Sequence, residues 1–544
     1  MPKVEENKFT IKIESILGGH APTTHFAAED QFRASLGIDP SMPIDNEDVS
    51  ASVIASGLIR PVGVLASTDL LTAAPLWIVQ SPKATTNTAS YFVLDAIGSL
   101  HVTTGSSGVT NLADGGTLST GTGNGCTYYD NFLYIAKDTD IARYGPLNGA
   151  IGPEFNGTYW TGTLSKTALV NTTYPSDLYV NEPYPNHFLH RHSDGRLYIA
   201  DVVGNRGTIH YIQTASTTYE GDTDAGSTYN KVQVGYGLWP MAMESYGSEL
   251  VIAFNEAPYI TPPPDMNPRS KIAFWDTLST NVNKITWREF PDSLVTAIKN
   301  VGGVLYFFSS SLNARGFRIT RYVGGLNFEE VAYWETGRTP FPGAVDAVGN
   351  SLVFGGHTLI PEEAACVYSL GLHKPGLTNG LFNIARDPIN QTTATVTSLI
   401  AGGRSGWLNQ QGLIFGTYKD AASGRINDTN QKAISTTGPP VWWSKTYRIG
   451  QPFKITKIRI PVPKNNNTGD KEVVPKIYVD GGANSFVLTR LNYTDFSPET
   501  YYCFTLRPTN VTGQSEFWLE LRWPTAGIMT VGLPITIEYE LTDS

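Results

Sequence analysis

The sequence predicts an all-β protein: a divergent β-propeller-like domain of about seven blades, an N-terminal arm and a C-terminal antiparallel β-sandwich. Three observations predict it. Between residues 51 and 438 a small turn, often with Gly, leads seven times into a short apolar strand beginning at Leu. Strands of more alternating polarity follow several of these. After Gly438-Pro439-Pro440 the chain changes to cleanly alternating strands separated by Pro, Asn and Gly.

The arm, residues 1–50, is too poor in apolar elements to bury a core alone. Lys8-Phe9-Thr10-Ile11-Lys12-Ile13 alternates and reads as a strand in need of a partner sheet. Gly18-Gly19 breaks it. Thr24 then offers a cap for a short helix with Ala28, Phe32 and Leu36 spaced by four, and Gly37 offers a stop. Such a segment must pack on its own body or on a neighbouring subunit.

In the repeat, residues 51–438, the leucine strands start at Leu76, Leu133, Leu197, Leu250, Leu305, Leu352 and Leu413, 47 to 64 residues apart. They are apolar on both faces, as strands covered on both sides are. Companion strands include Tyr91-Phe92-Val93-Leu94, Lys271-Ile272-Ala273-Phe274-Trp275 and Phe317-Arg318-Ile319-Thr320. A buried strand beside an alternating one, repeated at this period, is the pattern of propeller blades that hide their faces on one another. The competing reading is a series of unrelated β-sandwiches. In residues 439–544, alternating runs such as Lys454–Ile460, Glu516–Leu521 and Ile535–Glu540 predict a two-layer sandwich.

Composition narrows the function. The chain has 544 residues and a net charge of −10, so it lacks the basic footprint of a nucleic-acid binder. Only 16% of residues are charged, against about 25% in an average soluble protein. A weakly charged polar surface suits a subunit that buries much of itself in an assembly. No apolar run has the length of a membrane span, and the polar start carries no signal-peptide pattern. Cys126, Cys366 and Cys503 are far apart and read as small buried hydrophobes.

No complete catalytic pattern is present: Gly-x-Ser-x-Gly, a phosphate-binding glycine loop and His-Glu-x-x-His are all missing. The expectation is therefore no enzyme, no cofactor, and no catalytic, cofactor-binding or metal-binding residue. The best metal candidate is His190 with His192, on one face of a strand, joined by Asp194. Hydrogen bonding between blades is the favoured role for these histidines. Asp222-Thr223-Asp224 and Asp138-Thr139-Asp140 lack the remaining ligands of a calcium loop. Trp442-Trp443 reads as buried at a domain junction rather than as a sugar platform.

Two segments resemble structural proteins of tailed bacteriophages. One is Ile16-Leu17-Gly18-Gly19-His20-Ala21-Pro22 leading to Asp30-Gln31-Phe32-Arg33-Ala34-Ser35-Leu36-Gly37-Ile38-Asp39-Pro40. The other is Trp443-Ser444-Lys445-Thr446-Tyr447-Arg448-Ile449-Gly450-Gln451-Pro452-Phe453-Lys454, similar to a segment that opens the C-terminal sandwich of many tail proteins. The resemblance implies a virion tail protein, assembled in the host cytoplasm. It would be a tube, nozzle or adaptor subunit in a homo-oligomeric ring, often six-fold, contacting other tail proteins and passing DNA without gripping it. It also implies that the arm adds a strand to a neighbour's sheet. The alternatives are a receptor- or glycan-binding tail-tip protein and a polysaccharide-degrading propeller.

Overall fold

The computed structural model describes residues 8–21, 28–38, 59, 61–66, 71–80, 91–103, 109–111, 125–130, 132–136, 141–144, 159–162, 188–203, 206–212, 231–256, 269–278, 282–292, 294–310, 317–334, 339–348, 350–356, 366–371, 380–387, 389, 394–404, 411–418, 424–429, 439–463, 472–492, 501–524 and 529–542. Among these residues regular structure is almost entirely strand, with three single-turn 3-10 segments and no α-helix. The fold is the predicted one, an all-β propeller with an arm and a terminal sandwich.

Seven antiparallel sheets have the strand order of propeller blades. Blade one runs from Pro75–Gln80 outward to Val109–Asn111, and blade two from Gly125–Tyr129 to Tyr159–Gly162. Blade three runs from Leu189–Arg191 to Lys231–Tyr236, and blade four from Leu238–Tyr246 to Thr286–Glu289. Blade five runs from Leu294–Val301 to Asn327–Trp334. Blade six runs from Val345–Val348 to Gly380–Arg386, and the arm strands Gly19–His20 and Gln31–Phe32 extend it in parallel. Blade seven contains Thr395–Arg404, Gln411–Tyr418 and Arg425–Thr429, and its fourth strand is Val64–Ala66 from the start of the chain.

By contact density the chain forms two compact units. One is Ala66–Ala365 with Thr392–Asp428. In it the first strand of each blade neighbours the first strand of the next, and that of blade seven returns to blade one. The core is a set of layers between blades. Tyr134 and Ala136 of blade two meet Leu197 and Ile199 of blade three. Tyr198 and Ile209 meet Met243, Ile252 and Trp275 of blade four, and Val251 and Phe274 meet Val295 and Phe307 of blade five. Covering both faces of each blade is what makes the second strands apolar throughout: Leu133–Ala136 and Leu197–Ala200 are fully buried.

The predicted leucine strands are the second strands of blades two to seven, but Leu76 begins the first strand of blade one. The repeat was therefore out of register by one strand at its start. First strands are less uniformly apolar because some of their side chains carry the polar groups described below.

The other unit is Met1–Leu65, Cys366–Gln391 and Thr429–Ser544. The sandwich has one sheet ordered Lys8–Ile13, Ile535–Leu541, Phe453–Pro463, Tyr501–Leu506. The other is ordered Asn484–Val487, Glu472–Val479, Glu516–Arg522, Val441–Trp443, Ala34–Leu36. Each sheet thus takes an edge strand from the arm of the same chain. Lys8–Ile13 pairs antiparallel with Ile535–Leu541 from Lys8↔Glu540 to Ile13↔Ile535. This corrects the expected strand donation to a neighbour: Lys8–Ile13 pairs with a strand of its own chain.

The expected helix at 28–36 is also corrected. Gln31–Phe32 and Ala34–Leu36 are strands, and Phe32, Ala34, Ser35 and Leu36 are all buried. A spacing of four fits two strand periods as well as one helical turn, and waiting sheet edges decide the outcome. Thr24, the proposed cap, lies outside the described residues.

Candidate functional site

The first strands of blades three to six bring ionisable groups together at their ends nearest the turn to the second strand. His190 lies on Leu189–Arg191, Glu244 and Ser245 on Leu238–Tyr246, Lys299 and Asn300 on Leu294–Val301, and Asp346 on Val345–Val348. The Lys299 Nζ pairs with Asp346 Oδ1 at 2.8 Å, and Asp346 Oδ2 accepts the Ala401 N–H of blade seven at 2.9 Å. Asn300 Nδ2 donates to the Ser245 carbonyl at 2.8 Å. Five successive blades are tied by this belt.

The histidines have defined roles in it. His192 Nε2 faces the Ser248 carbonyl at 3.3 Å and must donate. Its Nδ1 then accepts the Ser245 hydroxyl at 2.8 Å, and Ser245 Oγ accepts His190 Nε2–H at 2.8 Å. Burial pushes His190 down to about 3, helped by His192 and Lys299. Its 3.9 Å approach to Glu244 is therefore a contact of a neutral imidazole, not an ion pair. Burial raises the Glu244 carboxyl against the pull of Lys299. Burial would lower Lys299, but Asp346 and Glu244 outweigh it and raise the ammonium. The arrangement sets a Lys299–Asp346 ion pair and a carboxyl made easier to protonate, Glu244, beside a hydrogen-bonded His–Ser–His relay.

The turn carrying this relay is built locally. Gly195 has φ +86° and its N–H closes on the His192 carbonyl at 3.1 Å, a conformation that a side chain would strain. Asp194 accepts the Arg196 N–H at 3.0 Å and the Tyr198 hydroxyl at 2.6 Å. Asp194 is thus engaged in its own turn, away from the two histidines it was expected to join as metal ligands. Among the described residues no group of three or more His, Cys, Asp or Glu is placed to hold a metal ion. The Asp138 and Asp222 loops lie outside the described residues.

A second cluster lies on the sandwich. Glu520, buried, accepts Trp443 Nε1–H and the Tyr478 hydroxyl at 2.9 Å each, and Arg522 Nε–H at 3.0 Å. Tyr478 stacks on Trp518 with centroids 5.2 Å apart, and Lys476 and Arg33 lie over the two rings at 4.4 and 4.5 Å. The cations occupy the faces a sugar would need. Trp442 is fully buried, as expected, against Phe32. Cys126 and Cys366 are buried as expected, whereas Cys503 is exposed.

Sequence reasoning found His190 and His192 but not Glu244, Lys299 and Asp346. A signal was present: each of the three stands three residues before the first glycine of its turn, Gly247, Gly302 and Gly349.

No protein-family model matches the chain, and none of the curated proteins does. Solved structures match at the level of fold. An exo-β-1,3-galactanase from Phanerochaete chrysosporium is 9% identical, with 88% of this chain and 99% of that one covered and a TM-score of 0.31. The Neurospora crassa Pan2 WD40 domain is 8% identical, covering 74% and 97%, with a TM-score of 0.36. The N-terminal domain of Nup159 is 9% identical, covering 73% and 100%, with a TM-score of 0.35. Glycoside hydrolases of family 43 also match, including an arabinoxylan arabinofuranohydrolase from Bacillus subtilis. The expectation that the chain is not an enzyme is corrected on this finding: the structures it matches include glycoside hydrolases. At these TM-scores the likeness assigns no activity. No helix among the described residues is long and apolar enough to cross a membrane.

Proposed function

We propose that the chain is a structural subunit of a bacteriophage tail, a tube, nozzle or adaptor that assembles with copies of itself and other tail proteins into a ring passing DNA. One observation carries this reading. The two segments that resemble tail proteins lie far apart in sequence but form one joint: Lys445 Nζ reaches the Ala28 carbonyl, 417 residues away, at 3.4 Å. Arg33 N–H donates to the Trp443 carbonyl at 3.2 Å, and Ala34–Leu36 pairs with Val441–Trp443. A joint that uses both segments explains why they occur together.

Exposed apolar turns supply a surface for copies to meet. Leu278 of blade four and Leu326 of blade five are 84% and 74% exposed, each in the connection between the third and fourth strands of its blade. Arg196 Nη1 and Arg288 Nε, each from the preceding blade, hold the carbonyls of Thr277 and Gly325 just before them. Rigidly held exposed leucines favour protein contact. The glycan-binding alternative is less well served, since Arg33 and Lys476 cover the stacked aromatics.

Negative-stain images of the purified protein test the proposal. Closed rings are expected. Monodisperse single particles at micromolar concentration, unchanged by added tail components, contradict it.

A further inference from the structure

We propose that the seam between blades seven and one is a pH-operated closure, tight when the Asp428 carboxyl is protonated and loosened when it ionises. Asp428 lies on Arg425–Thr429, opposite Ile414 on the neighbouring strand. It is buried, and its Oδ1 has no hydrogen-bond partner. The seam around this strand is apolar: Leu71, Ile78, Tyr91 and Val93 meet Ile414 and Ile426. An ionised carboxylate in such a layer lacks the pairing that makes buried charge tolerable.

The groups facing Asp428 do not relieve it. From blade one the near titratable group is the Tyr91 phenol, which Asp428 drives upward after burial has already done so. The other ionisable pair on that blade, Asp95 and His101, is closed on itself at 3.0 Å. Within blade seven Asp428 stands directly opposite Ile414 and diagonally from Gly416, and Ser398 opposite Gly416 has a hydroxyl that is itself unpartnered. Among the described residues no cation offsets the burial, which raises Asp428 to about 7.

The sign follows from linkage. The closed seam binds the proton more tightly than the opened chain, where aspartate titrates near 3.9. Opening is therefore favoured as pH rises from about 4 to about 7, then levels off. Between pH 5 and 8 the opening equilibrium should increase roughly a hundredfold.

Hydrogen exchange on the full chain, corrected for intrinsic rates, tests this. Amides of Tyr91–Asp95 and Arg425–Thr429 should lose protection by that factor from pH 5 to 8, while Glu249–Glu256 of blade four does not. Asp428→Asn should abolish the difference. Unchanged protection of the seam in the wild type overturns the proposal, as does a loss that persists in Asp428→Asn. If that variant does not fold, the wild-type comparison of the two regions decides alone.

Discussion

His20 shows how one side chain sets the pH response of the arm. Its ring lies edge-on to Phe32 and Tyr368, and Nε2 accepts the Ser35 N–H at 3.0 Å, with Ser35 Oγ equally near. Burial lowers it from 6.5 to about 3. The folded state therefore resists protonation that the unfolded chain accepts. Stability is full above pH 6.5 and is lost as pH falls toward 3. At pH 5 the loss should be about 2 kcal/mol. His20→Gln, which can accept the same N–H but does not titrate, should flatten thermal stability between pH 7.5 and 5. An unchanged slope would remove His20 as its source. At Glu520 the acceptor serves three donors, so Glu520→Ala should cost roughly 3 kcal/mol in a denaturant titration by orphaning the Trp443 and Tyr478 donors.

At the scale of elements, the arm is held by close backbone approach as well as by side chains. Gly19 has φ +71° and pairs with Leu381, and a Cβ there would fall within contact distance of the Leu381 backbone N and O. Gly19→Ala should therefore destabilise the unit by at least about 2 kcal/mol, read by its denaturation midpoint. Trp442→Ala, which empties a fully buried site beside Phe32, should cost about 3–5 kcal/mol by the same measurement. These elements differ in how far the sequence declared them. Ile535–Leu541 is visible because one covered face imposes alternation along ITIEYEL. Second strands of the blades are visible because both faces are covered. Phe32 and Leu36 mislead because their spacing is common to helix and strand, and only the partner edge at Val441–Trp443 resolves it, while Ala28 is exposed outside the strands. The belt of His190, Glu244, Lys299 and Asp346 stayed hidden because each blade contributes one residue and only the closed ring of first strands assembles them.

For the whole molecule, two opposed titrations frame the stability. His20 and His190 weaken their surroundings toward acid, and Asp428 weakens its seam as pH rises toward 7. The organising feature is that one chain completes its own edges: the arm finishes both sandwich sheets and widens blade six, and Val64–Ala66 finishes blade seven. In the ring proposed above, copies would then meet through surfaces rather than exchanged strands. The direct measurement is a disulfide between Thr10→Cys and Glu538→Cys, which face each other in the arm pairing, in a Cys503→Ser background and under assembly conditions. After oxidation, the account predicts a single cross-linked monomer on a non-reducing gel. A ladder of covalent dimers and higher oligomers would show that the arm belongs to a neighbouring copy and would contradict it.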